Sequence, residues 1–150
     1  MKKALSLIFL AAILTCCSGF DTSVELTHTG CVNDTKGSSD DNDDPLLYLE
    51  QTSAGLAITR MNTYFNCIIR KSDNPLVCDV QIDGSDIYYS VYEREEPTLN
   101  CICLVKRVSS TITGLQNDKE YVLHYLNYIP INFRYHKGLK LTFNLEDYEQ

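Results

Sequence analysis

Apolar and polar residues alternate with a period of two over most of the chain after residue 45, the pattern of half-buried strands. Cys78, Val80 and Ile82 fall on one face of one such strand, and Ile87, Tyr89 and Val91 on one face of the next. Asp83-Gly84 between them is a hairpin signal. Leu99, Cys101, Cys103 and Val105 repeat the alternation. Further short segments rich in Ile, Val, Tyr, Phe and Thr occupy 46–51, 55–61, 64–70, 109–113, 119–128 and 133–144. Turn residues separate them: Asn74-Pro75, the charged stretch 93–97, and 114–118. No segment after the first 17 residues shows a helical period.

Roughly eight to ten short strands at this spacing predict an all-β fold, a single antiparallel β-sandwich over residues 45–150. The unit Ile112-Thr-Gly-Leu115, followed by Lys119, Tyr121 and Leu123, places a Tyr at the start of a strand just after a tight turn. Units of this kind occur in immunoglobulin-like and transthyretin-like sandwiches, where the Tyr plugs one end of the core. The likeness is architectural and carries no function.

The N-terminal pattern is different. Lys2 and Lys3 precede an apolar run at 4–14, followed by small or polar residues and Cys16-Cys17. This is the layout of a secretory signal peptide, and the run is too short to cross roughly 30 Å of hydrocarbon as a helix. Leu14-Thr15-Cys16-Cys17 resembles a bacterial lipobox, with an aliphatic residue three before the cysteine that takes the lipid. Cys17, with Leu14 in the aliphatic position, is the expected acylation site, since Thr15 and Cys16 are then the two small residues before it; Cys16, with Ile13, is the alternative. The chain thus divides into a lipoprotein signal peptide (1–17), a polar acidic tether (18–44) and the sandwich (45–150). The membrane is the first partner, reached through the lipid.

Charge supports attachment by lipid alone. The chain has 13 basic and 20 acidic residues, a net charge of −7; without Lys2 and Lys3, 11 basic and 20 acidic residues leave −9. Such a chain repels phosphate backbones and anionic headgroups, so nucleic acid is excluded as a partner. The stretch 33–44 is rich in Asp, Ser and Gly and reads as a solvated spacer. Its aspartates do not form an EF-hand loop, because Asp40 or Asp41 as first ligand puts Pro45 or Leu46 where a Gly is needed.

Beyond Cys16 and Cys17, five cysteines remain: Cys31, Cys67, Cys78, Cys101 and Cys103. Outside the cytoplasm disulfides are the default, and an odd number leaves one thiol over. Cys101 and Cys103 point to one face of a strand about 6.5 Å apart, close to the limit for a direct bridge. A bridge from Cys67 to Cys101 or Cys103 is expected, with the second pairing open. The rival reading is a thiol-based metal or redox site using Cys101 and Cys103 with Cys67, Cys78 and His136. Its single Cys-x-Cys clip falls short of the paired clips that zinc sites use. No metal ligand set and no cofactor follow from the residues.

No catalytic motif is present. The Gly-x-Ser-x-Gly elbow, the P-loop and His-Glu-x-x-His are all missing. His28 falls in the tether, His124 in a strand and His136 beside a turn at Lys137-Gly138. Glu93, Glu95 and Glu96 form a charged loop, and Glu146-Asp147 lies near the C-terminus. Neither has the apolar setting that separates two carboxyl pKa values for acid–base work. The expectation is no catalytic residue and no enzyme. Ten tyrosines with no tryptophan read as ordinary strand residues, with a carbohydrate-facing surface as the alternative.

Asn66-Cys67, Asp83-Gly84, Glu93, Asn100-Cys101-Ile102-Cys103-Leu104 and the 112–121 unit together resemble small lipoproteins of Bacteroides-type bacteria, over roughly residues 26–128. Those relatives often carry a further cysteine where this chain has Leu99, which affects any shared pairing. The resemblance implies a lipid-anchored β-domain with no established activity and transfers no site residue. The expectation is therefore a lipid-anchored protein of the cell envelope, at the outer membrane. Its non-enzymatic domain would bind a protein or glycan partner or play a structural part.

Overall fold

The computed structural model describes residues 24–32, 44–66, 75–94 and 102–149. It is an all-β sandwich of two packed sheets. The strands are β1 (Val24–His28), β2 (Cys31–Val32), β3 (Leu46–Gln51), β4 (Leu56–Asn66), β5 (Leu76–Asp83), β6 (Asp86–Glu93), β7 (Ile102–Ile112), β8 (Lys119–Tyr125), β9 (Ile131–Tyr135) and β10 (Lys140–Asn144). A 3-10 helix, Leu145–Tyr148, follows, with the Asn144 side chain accepting from the Glu146 N–H. One sheet runs β1-β7-β4-β3-β10, with β2 beside β1 on the same edge of β7; the other runs β5-β6-β8-β9. Among the described residues no helix is long and apolar enough to cross a membrane.

The alternation read for 87–91 lands on the interior as expected: Ile87, Tyr89 and Val91 of β6 are buried. The structure also buries Tyr121, Leu123 and Tyr125 of β8 and Ile131, Phe133 and Tyr135 of β9. Leu47, Leu49, Leu56, Ile58, Val108 and Ile112 face them from the larger sheet. Each such side chain removed from water contributes roughly 1.5–3 kcal/mol. Tyr121 plugs the core end: its ring is buried and its hydroxyl accepts from the Gln116 N–H at 2.9 Å.

Several expectations are corrected. Residues 24–32 are not a tether. β1 pairs antiparallel with β7 along its full length, and Cys31 and Val32 pair with Val105 and Leu104. Val24 and Leu26 alternate with polar Glu25 and Thr27, a strand signal masked by the acidic stretch that follows. The remainder of the spacer, 33–43, lies outside the described residues. The sandwich is also not wholly antiparallel. β6 and β8 pair in parallel, Asp86 with Val122 through Tyr89 with Tyr125, because β7 crosses in the other sheet between them.

The strand expected at 55–61 and the described part of the one at 64–70 fall largely in one strand, β4; the segment at 109–113 and the described part of the Leu99-to-Val105 alternation likewise fall in β7, while 67–70 and 98–101 lie outside the described residues. Both long strands change face midway. Leu56 and Ile58 point inward, then Thr63 and Phe65; on β7, Ile112, Ser110 and Val108 point inward, then Val105 and Cys103. The switch falls at Asn62, whose φ is +54°, a left-handed conformation that Asn tolerates. The ladder steps over it, from Met61–Arg107 to Thr63–Val105. In the opposite sense, the segment expected at 133–144 is two strands joined by a turn at Lys137-Gly138.

Candidate functional site

The cysteines meet differently from the expectation. Cys103 is bonded to Cys31, with their Cα atoms 5.6 Å apart, and not to Cys67. The cause is β2: it lies against β7 with Cys31 opposite Val105, which sets its sulfur diagonally across from Cys103 on the inward side. Cys16, Cys17, Cys67 and Cys101 lie outside the described residues. With its sulfur in a disulfide, Cys103 is no thiolate for a metal cluster, and among the described residues no group of three or more His, Cys, Asp or Glu could hold a metal ion.

Cys78 is a free thiol on β5, half-buried against the hydroxyls of Ser110 and Tyr89. Burial pushes its pKa up, and Asp79 adds to the rise. A protonated thiol of this kind is a packing group and not a nucleophile. Ser110 donates to the Tyr89 oxygen at 2.9 Å in the same buried network. Arg60 continues the inward row of β4, and its guanidinium donates to the hydroxyl of Tyr125 at 2.5 Å and to that of Tyr128 at 3.4 Å. It also lies over both rings, 5.3 and 6.0 Å from their centroids. These groups hold the sheets together; of them, Tyr89 reaches the groove described next and Tyr128 lines a second hollow beside Leu126 and Glu149.

The chemistry open to solvent gathers instead on the outer face of the four-stranded sheet. Here the polar phase of the alternation points outward: Asp79 and Gln81 from β5, Asp86, Tyr88, Ser90 and Tyr92 from β6, His124 from β8. Parallel pairing puts Tyr88 directly beside His124, and the two rings stack at 4.6 Å between centroids and 12° between planes. His124 donates from Nε2 to Oδ1 of Asp86 at 2.6 Å, since a carboxylate only accepts. Tyr92 donates to Oδ2 of Asp79 at 2.6 Å, and that bond raises the pKa of its phenol. Tyr88 and Tyr92 nevertheless remain 47% and 44% exposed. Between the strands lies a shallow, open groove of about 530 Å³ lined by Asp79, Gln81, Tyr88, Ser90, His124 and Leu126.

No protein-family model matches the chain, nor does any curated protein or solved structure. The site is therefore argued from its own geometry.

The other histidines stand apart from it. His28 lies in β1, where its Nδ1 accepts from the Gly30 N–H, and His136 occupies the turn after β9, bonded to the carbonyl of Lys137. Glu93 is not a loop residue: it ends β6, and its carboxylate accepts from the backbone and side-chain amides of Asn66. The sequence reading missed the Tyr88–His124–Asp86 cluster because the parallel register that assembles it joins strands separated by a third. A signal was available in β6, where Asp86, Tyr88, Ser90 and Tyr92 occupy the phase opposite to Ile87, Tyr89 and Val91.

Proposed function

We propose that the chain is an exported lipoprotein of the cell envelope, anchored at the outer membrane through Cys17, or Cys16. Its non-enzymatic β-sandwich binds a partner through the outer face of β5, β6 and β8. The observation that carries the binding surface is a pair of exposed tyrosines with preset rings: Tyr88, stacked on His124, lines an open groove, and Tyr92 is hydrogen-bonded to Asp79 of that lining. Exposed aromatics with preset orientation lose little freedom on binding and supply apolar area beside polar groups. The Asp86–His124 pair is partly open to solvent, 43% and 31% exposed, with no enclosed pocket around it, a setting suited to orientation more than to proton transfer. The leader pattern, the acidic charge and the resemblance to Bacteroides-type lipoproteins support the address. A disulfide accords with an oxidising compartment.

Two measurements test this reading. Palmitate label should enter the protein and be lost when Cys16 and Cys17 are both replaced by Ser. Hydroxyl-radical footprinting should find Tyr88, Tyr92 and His124 protected in cells that make the protein and reactive in the purified chain. Equal reactivity in both settings removes the face from consideration; persistence of label in the double variant removes the anchor.

A further inference from the structure

We infer that the groove beside Tyr88 takes a neutral, hydroxyl-rich glycan segment; this rests on the reading of that face as the binding surface. Three observations select the ligand class. The first is charge. No Lys or Arg lines the groove, while Asp79 does and Asp86 stands next to it on the far side of His124. A phosphate, sulfate or uronic acid entering here meets repulsion from these carboxylates with no Lys or Arg in the lining; Arg94 acts on Tyr92, outside it.

The second is the state of the carboxylates. Asp79 already accepts from Tyr92 and Asp86 from His124. Each retains further acceptor positions, enough for one or two hydroxyl donors. A cationic side chain gains most from a carboxylate that is otherwise uncommitted, and here it would compete with the His124 and Tyr92 donors. Gln81 and Ser90 add both donors and acceptors to the same groove, the mixture that sugar hydroxyls require.

The third is shape. The groove is shallow and open to solvent, a shape that suits one face of a chain segment and does not enclose a small molecule. Tyr88 lines the groove and Tyr92 stands beyond it, bonded to its Asp79; the two lie four residues apart on β6, a separation of roughly 13 Å along the strand. The apolar C–H faces of successive sugar rings can pack against such spaced aromatics while their hydroxyls reach Asp79, Gln81 and Ser90. Stacking on His124 presets the Tyr88 ring, so little side-chain freedom is lost on binding.

The test uses the full-length protein in detergent, applied to an array of neutral glycans and titrated with cellotetraose, xylotetraose and mannotetraose. Oligogalacturonate and tetralysine serve as the anionic and cationic probes. The expected result is binding of at least one neutral glycan, weakened about tenfold or more by Tyr88→Ala and by Tyr92→Ala. Both rings are on the surface, so thermal unfolding should stay unchanged in these variants. Lys140→Ala, on the other sheet, should leave binding intact. Retention of oligogalacturonate or tetralysine alone, of no glycan at all, or neutral binding undiminished by the tyrosine variants would each overturn the inference. If footprinting still shows the face protected in cells, the ligand class has failed while the surface stands.

Discussion

Gly55 and Leu126 occupy backbone positions that side chains avoid, with opposite consequences. Gly55 has φ +145°, and a Cβ built there would lie 2.2 Å from the carbonyl oxygen of Ile112. That oxygen belongs to a neighbouring strand and cannot move aside, so Gly55→Ala should cost roughly 2–4 kcal/mol in chemical denaturation. Leu126 has φ +48° at the turn after β8, and its side chain is 53% exposed. It bears left-handed strain with little burial in return. Leu126→Gly should therefore raise stability by roughly 0.5–1 kcal/mol, read as a higher denaturant midpoint at constant slope. The buried phenols make a separate prediction. Burial raises the pKa of both Tyr89 and Tyr125 above the ordinary tyrosine value. Above about pH 10 the unfolded chain loses these protons while the folded chain keeps them, so stability is full below that pH and falls as pH rises further. Absorbance titration at 295 nm should show two tyrosines that ionise only as the protein unfolds.

At the scale of elements, what was legible in the chain was phase, and what was not was partnership. The buried row of Ile87, Tyr89 and Val91 could be read because burial on one face writes itself into alternate residues. The fusion of two expected strands into β4 could not, since Asn62 reverses the phase and a reversal looks like a break. β1 was hidden for a related reason: its two apolar positions, Val24 and Leu26, are too few to stand out beside an aspartate-rich stretch. The parallel neighbours β6 and β8 are separated by a whole strand of the other sheet, and no local pattern reports that crossing. The cysteine pairing failed on the same point, because Cys31 could reach Cys103 only if 24–32 joined the sheet. Its bond closes a separation of 72 residues. Replacing Cys31 and Cys103 together by Ser should lower unfolding free energy by roughly 4 kcal/mol. Equilibrium denaturation of the double variant, compared with the parent under non-reducing conditions, measures it.

Across the whole molecule, the two faces of the sandwich have separate duties. Among the described residues the interior is apolar apart from a few hydroxyls, the Asn62 amide and Arg60, and it fixes the sheets against each other. The outer face of the smaller sheet carries the aromatic and carboxylate groups on which the proposed binding depends. The C-terminal end is tied down rather than trailing: Ile129 N–H donates to the Tyr148 carbonyl at 2.7 Å and Leu145 N–H to that of Pro45 at 2.9 Å. Truncation before Leu145 should remove a fully buried side chain and both of these bonds. A loss of roughly 3 kcal/mol or more is expected in thermal or chemical unfolding, and a chain that keeps its full stability would contradict it.

The Cys31–Cys103 bond also sets a load path. When the two ends of the chain are pulled apart, β1 peels from Val24 toward His28, and the tension then passes through sulfur into β7, which stays paired with β2 and β4. The first lengthening should stop after about 25 Å, the reach of the residues from β1 to the cross-link. Even complete unravelling leaves the residues between the two cysteines folded out of the tension line. A reductant in the pulling buffer restores their full contour length, so the oxidised molecule always stretches less than the reduced one by the length of chain between Cys31 and Cys103.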